Sequence, residues 1–202
     1  MSNYDVDRSR VWFLNLTEML WYKGLEAENI AMSETTYCKE NGYGHELFNF
    51  LPDDGRYYGY SPPGSTCNLK SIAKDAIEKD EHGRFIDNVL VIFTSTRTNK
   101  GHVIVGYYKN AKVYEKPLKR KETLGRYIKQ EDDYAKYNMV CDIKNGRLIE
   151  HPNRNYYIPH ASSEVGGFGM QPRWYAAKKK DQEIREKAID YILGLEASKK
   201  IE

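Results

Sequence analysis

Residues 88–110, NVLVIFTSTRTNKGHVIVGYYKN, constrain the fold more than any other stretch of the 202-residue chain. NVLVIFTST is an unbroken apolar run of strand length, which is the pattern of a strand buried on both faces. RTNKG is a short polar turn, and HVIVGYYKN then reads as the partner strand of a hairpin. A central buried hairpin needs further strands beside it and something apolar on each face.

The remaining sequence supplies both. SRVWFLNL (9–16) reads as a strand, and TEMLWYKG as a turn or short helix closed by Gly24. Residues 25–43 hold no sustained period and read as an irregular segment or short helix. Residues 45–65 read as two strands around a Pro-Asp-Asp-Gly turn, stopped by Pro-Pro-Gly. Leu69, Ile72, Ala73, Ala76 and Ile77 fall at helical spacing, which predicts a helix over 68–83 capped by Asn68 and ended by Gly83. AKVYEK (111–116), YNMVCDI (137–143) and NYYIPH (155–160) read as further strands, and SSEVGGFGM as a glycine-rich loop ahead of QPRWYAA. Ile184, Ala188, Tyr191, Ile192 and Leu195 share one face of a terminal helix. Short strands with only two helices argue for an α+β fold, built on a strongly curved mixed or antiparallel sheet or a small β-barrel with flanking helices. The expected division is a domain over 1–177 and a helix or connector over 178–202.

Composition narrows the function classes. No apolar run approaches a membrane span, and MSNYDVDRSR lacks the core of a signal peptide. Cys38, Cys67 and Cys141 are scattered and odd in number, so the expectation is a cytoplasmic chain with reduced thiols, no zinc and no cofactor. The net charge of +2 conceals a polarised chain. Residues 1–55 carry 4 basic against 10 acidic residues, whereas residues 97–129 carry 10 basic against 2 acidic. Such a basic segment faces a polyanion or forms a solvated loop. Arg97, Lys100, Lys109, Lys116, Lys119, Arg120, Lys121 and Arg126 are its candidate phosphate contacts.

No catalytic set stands out. His45, His82, His102, His151 and His160 sit in no HExxH, and no GxSxG, P-loop or Cys/His pair is present. HPNRN (151–155) has the letters of an HNH site but reads as a turn before a strand. Asp87, Glu115 and Lys116 lack the proline-aspartate that a restriction-nuclease core needs on an adjacent strand. No catalysis is expected in this chain.

Three phrases, GHELFNFLPDDGRYYGY, VIVGYYKNAKVYEK and GGFGMQPRWYA, occur in order with RVWFLNL and WYKG. Together they resemble the N-terminal region of a group of bacterial HNH-type, modification-dependent restriction endonucleases, over residues 10 to 176. They are also similar to the PUA-type modules that read modified bases, among them the EVE, YTH and SRA domains. The resemblance implies a PUA-like barrel that flips a modified base, such as methylcytosine, from double-stranded DNA into an aromatic pocket. It implies a role in restriction–modification and antiphage defence, with a nuclease module following on a longer chain. A flipped base has two π faces and one hydrogen-bonding edge, so its pocket needs aromatic walls and a few amides or hydroxyls. Trp21, Tyr22, Tyr58, Tyr60, Trp174 and Tyr175 are the candidate walls, with Asn49, Ser61 and Asn110 as edge readers, while Trp12 reads as core. An RNA-binding PUA- or YTH-like module, a nuclease with an unrecognised site and a tyrosine-rich protein-interaction domain are the alternatives.

Overall fold

A computed structural model of the chain describes residues 6–24, 45–61, 66–97, 100–120, 136–162, 165–169 and 171–198. Its strands are β1 (Val11–Leu16), β2 (Arg56–Gly59), β3 (Glu78–Asp80), β4 (Gly83–Arg97) and β5 (Gly101–Lys119). They continue with β6 (Lys136–Asp142), β7 (Gly146–Leu148), β8 (Tyr157–Ile158) and β9 (Arg173–Trp174). Two α-helices accompany them, α1 (Leu69–Ala73) and α2 (Gln182–Ser198).

The expected hairpin is the centre of the molecule. β4 and β5 pair antiparallel from Arg97↔Gly101 down to Phe85↔Tyr114. β1 lies parallel to β4, in the register Val11↔Leu90 to Leu16↔Ser95, and β9 pairs outside β1. The other edge of β5 is covered in succession by β8, β7 and β6, and β2 pairs outside β6. The result is one nine-stranded mixed sheet in the order β2-β6-β5-β4-β1-β9, with β3, β7 and β8 as side branches. The class is α+β with a large mixed sheet. The sheet is not closed into a barrel.

AKVYEK is not a separate strand. It continues β5, because Ala111 and Val113 keep their places in the core while the register shifts against β4. Asn88 on β4 (φ 59°) and Asn110 on β5 (φ 50°) take left-handed backbone conformations at these breaks, which bend both strands without ending either. Asparagine is among the few residues that enter this region cheaply. We expect Asn88→Gly, on an exposed position, to change stability by under about 1 kcal/mol, and Asn88→Val to lose about 1–3 kcal/mol. Urea denaturation of the two variants checks this. Equal stability of Gly and Val would show that the bend imposes no strain.

The helix predicted over 68–83 is mostly absent. Only α1 and a 3₁₀ turn at Lys74–Ala76 form, and then the chain turns into β3, which pairs with the start of β4. Only Leu69 and Ile72 of the periodic set are fully buried, so no apolar stripe carries the helix onward. Asn68 makes no capping bond, and Gly83 (φ +120°) opens β4 instead of closing a helix. Likewise His45–Phe48 is a 3₁₀ turn and not a strand, with Leu47, Phe48 and Phe50 all in the core. The Pro-Asp-Asp-Gly turn is present, its ends joined by two Asp53–Arg56 backbone bonds. Residues 17–24 form no helix, and residues 25–43 lie outside the described residues.

Alternation along the central strands creates two apolar layers. Trp12, Leu14, Val91, Phe93 and Tyr108 face Leu47, Phe48, Phe50, Met19 and Tyr22. Val11, Phe13, Leu90, Ile92 and Ile104 face the other way, under Ala188, Ile189 and Ile192 of α2 and under Phe168. Helix α2 therefore covers a sheet face, with Ile184, Tyr191 and Leu195 half-buried along its flank. Arg8 ties it down further through Glu186 (2.7 Å) and Asp190 (2.5 Å).

Candidate functional site

As β2 ends, the chain RYYGYS passes from sheet pairing into a buried polar cluster. Asn49 Nδ2 donates to the Tyr60 carbonyl (3.2 Å), and the Tyr60 N–H donates to Asn49 Oδ1 (2.8 Å). The Ser61 N–H donates to Asn138 Oδ1 (2.9 Å), whose Nδ2 donates to Cys67 Sγ (2.8 Å). Arg173 reaches in from β9: Nε donates to Ser61 Oγ (2.8 Å), Nη2 to Ser61 O (3.3 Å) and Nη1 to Thr66 O (2.9 Å). Its guanidinium lies 5.9 Å from the Trp12 ring centre, and Trp12 stacks on Tyr175 at 6.4 Å and 15°. The Asn68 N–H donates to the Tyr175 hydroxyl (3.4 Å).

These bonds fix Asn49, Ser61, Asn138 and Arg173 in orientation, which is the preorganisation a recognition site requires. Burial pushes the Cys67 thiol up to about 11 and also raises the Tyr175 phenol. At neutral pH the cluster therefore holds one cation, Arg173, among neutral donors, acceptors and rings. Such a set can stack on and hydrogen-bond a planar ligand, and it offers no thiolate nucleophile. A cavity of about 360 Å³ opens beside it, lined by Thr66, Cys67, Asn68, Lys70, Arg84 and Glu115. Among the described residues, no three His, Cys, Asp or Glu side chains converge in a way that could hold a metal.

Asn49, Tyr60, Ser61 and Tyr175 thus meet in one place, and the other predicted pocket residues go elsewhere. Trp174 points to the opposite face of the sheet, against Phe13 (4.7 Å) and Phe168 (5.6 Å). Tyr22 is completely buried, its hydroxyl donating to Thr17 O (2.8 Å), so it is a core strut and not an accessible wall. Trp21 is half-buried with the Lys23 ammonium 6.0 Å from its ring. Tyr58 lies against Tyr137 (5.0 Å). Asn138, Cys67 and Arg173 were not singled out as pocket residues by sequence, and Trp12, read there as core, is fully buried in it. Arg173, a cation set directly against an aromatic pair in PRWY, was the available signal.

The phosphate contacts also separate. Lys109 is buried in an ion pair with Glu196, and Arg120 is 4% exposed under Phe48 and Tyr58, so neither lies on a free surface. Arg97 is half-buried, bonded to Glu18 (2.8 Å) and beside His151 (3.0 Å). Lys100, Lys116 and Lys119 are exposed. Lys121 and Arg126 lie outside the described residues. Lys100 and Lys116 stand at opposite ends of β5, up to roughly 50 Å apart at 3.3 Å per residue. Among the described residues, the exposed cations of the basic run are therefore spread along a strand and do not form one patch. No family model, curated protein or solved structure matches the chain.

Proposed function

We propose that this chain is a PUA-like specificity domain that binds double-stranded DNA and reads a modified base, serving a modification-dependent restriction endonuclease whose cutting is done by a separate nuclease module. One observation carries the reading: Tyr60, Ser61, Asn138, Arg173, Tyr175 and Trp12, distant in sequence, converge into a fixed polar and aromatic cluster beside a cavity. An extruded base needs a ring to stack on and a rigid set of donors and acceptors for its edge. Tyr175 and Arg173 are the half-buried members a ligand can reach; Ser61 holds Arg173, and the Asn68 N–H and the Trp12 ring hold Tyr175. Lys70 lines the same cavity and supplies a cation for a phosphate, which positions the strand without reading it, while Arg84 is held by Glu115 (2.9 Å).

The test is a pair of titrations, with modified and unmodified duplex, on wild type, Tyr175→Ala and Arg173→Gln. Each variant is first checked for folding. Loss of a stacking or edge contact is expected to cut discrimination by roughly 5- to 150-fold while leaving the salt slope nearly unchanged. Folded variants that keep the wild-type discrimination ratio would refute the site. A wild-type preference for single-stranded RNA over every duplex would transfer the reading to RNA.

A further inference from the structure

The apolar residues packed under α2 reach along β5 only as far as Tyr107. Beyond that point alternate residues of β5 divide cleanly. Ala111 and Val113 enter the core, while Asn110, Lys112 and Tyr114 line the opposite side, Tyr114 with only 6% of its surface exposed. With Tyr137 from β6 and Tyr58 and Arg56 from β2 they surround a cavity of about 480 Å³. That is within the size range of sites for small planar ligands.

The rings in this cavity are not packed flat on one another. Tyr58 meets Tyr137 at 5.0 Å and 78°, and Tyr114 meets Tyr137 at 6.5 Å and 80°. The cations are already held by carboxylates: Lys112 Nζ lies 2.7 Å from Asp80 and Arg56 Nε 3.9 Å from Asp142. A phosphate here would be repelled by these carboxylates, whereas a neutral aromatic ring would not. Asn110 is exposed in its left-handed conformation, and its amide makes no hydrogen bond among the described residues. A free amide beside aromatic rings is the arrangement that pairs with the edge of a base. Lys116 follows Tyr114 by two positions and Lys136 precedes Tyr137, so exposed cations lie next to the cavity and outside it.

We propose that this cavity is a second subsite, which takes an unpaired nucleobase of a single strand by stacking it among Tyr58, Tyr114 and Tyr137. The inference rests on the nucleic-acid reading above and places a contact outside the Arg173 cluster. Tyr58 and Ser61 are three residues apart, at most roughly 10 Å along the backbone, so one strand can span both places. A displaced strand or a nucleotide flanking the extruded base is the natural occupant.

Two measurements decide it. In the first, wild-type protein is irradiated with single-stranded DNA containing 5-iodouracil, and the crosslinked peptides are mapped. Crosslinks at Tyr58, Tyr114 or Tyr137 are expected, and crosslinks confined to other peptides overturn the proposal. In the second, unmodified single-stranded DNA and free thymidine monophosphate are titrated into Tyr58→Ala, Tyr137→Ala and Tyr137→Trp. Each alanine should weaken single-strand binding roughly 5- to 150-fold, and tryptophan should retain it. Alanine variants that fold and bind the single strand as wild type also overturn it, and if they do not fold the crosslinks decide. Mononucleotide binding as tight as that of the strand would assign the cavity to free nucleotides and refute a strand site. Duplex discrimination is expected to be unchanged in these variants. A wild type that shows no duplex discrimination but still binds the single strand through these tyrosines refutes the earlier reading alone.

Discussion

Replacing Arg154 by alanine is expected to cost about 3–5 kcal/mol of folding stability. Arg154 is 3% exposed, and its three nitrogens each donate to a backbone carbonyl: Nε to Ile149 (2.8 Å), Nη1 to Met19 (2.7 Å) and Nη2 to Leu20 (2.7 Å). The guanidinium also lies 5.6 Å from the Tyr22 ring centre. One side chain thereby fastens the irregular segment after β1 to the segment after β7. Burial lowers the guanidinium pKa, so the charge is retained against a desolvation penalty that these carbonyls offset. Alanine leaves three carbonyls without their donor and a void beside Tyr22. Lysine does not restore the arrangement, because a single ammonium cannot reproduce a planar fork. Urea denaturation of Arg154→Ala and Arg154→Lys measures the effect, and an alanine variant within 1 kcal/mol of wild type would contradict it.

Stability is also expected to fall by about 3 kcal/mol between pH 7 and pH 4 through His102 alone. The residue is 2% exposed, stacked on Phe168 at 4.5 Å, with the His160 ring 4.9 Å away. Its Nδ1 lies 3.1 Å from Asn15 Oδ1 and 3.3 Å from Thr96 Oγ1. Burial, reinforced by His160, lowers its pKa from 6.5 to about 4. The unfolded chain therefore binds a proton that the folded chain refuses. The stability is whole above pH 6.5, declines as the pH falls, and has lost this contribution at about pH 4. Only the upper part of this window, above roughly pH 5.5, lies clear of the range in which ordinary carboxylates titrate, so the His102→Gln comparison is what isolates the histidine. Urea midpoints at pH 7, 5.5 and 4.5 should decline in wild type and flatten in His102→Gln. Parallel profiles for the two proteins would remove His102 as the cause.

The hairpin at the centre was legible because two apolar runs flank a polar turn, a pattern few other structures accommodate. The terminal helix was legible for a similar reason, since Ala188 and Ile192 repeat at helical spacing and are buried. The aromatic pairs misled for a geometric reason. Neighbours on an extended chain point to opposite sides, so Trp174 and Tyr175 cannot form one wall, and Tyr58 parts from its neighbour Tyr57 in the same way. Tyr57 stacks on Tyr108 in the core while Tyr58 lines the outer cavity. Trp174 meets Phe13 on one side of the sheet, and Tyr175 meets Trp12 on the other. Asn110, Lys112 and Tyr114 were readable as one side of a strand by the same rule, but only once β5 was known to continue through Asn110. The partners of Arg173 at Ser61 and Thr66 are more than a hundred positions away, and no local pattern encodes such a meeting.

The 19-residue strand β5 also dictates an order of assembly. Its pairing with β4 begins at Arg97↔Gly101, across three intervening residues, so this contact confines very little chain. The next partners, β6, β7 and β8, arrive one after another from later sequence to the same edge. β1 must return across some eighty positions to lie parallel to β4, and β9 closes against β1 over a span twice as long. Entropy therefore favours growth from the middle of the chain outward, with the long-range pairings last. Arg173 is carried by β9, so the polar cluster gains this cation when one of the last strands docks. The recognition surface is completed late, after the sheet that supports it has already formed.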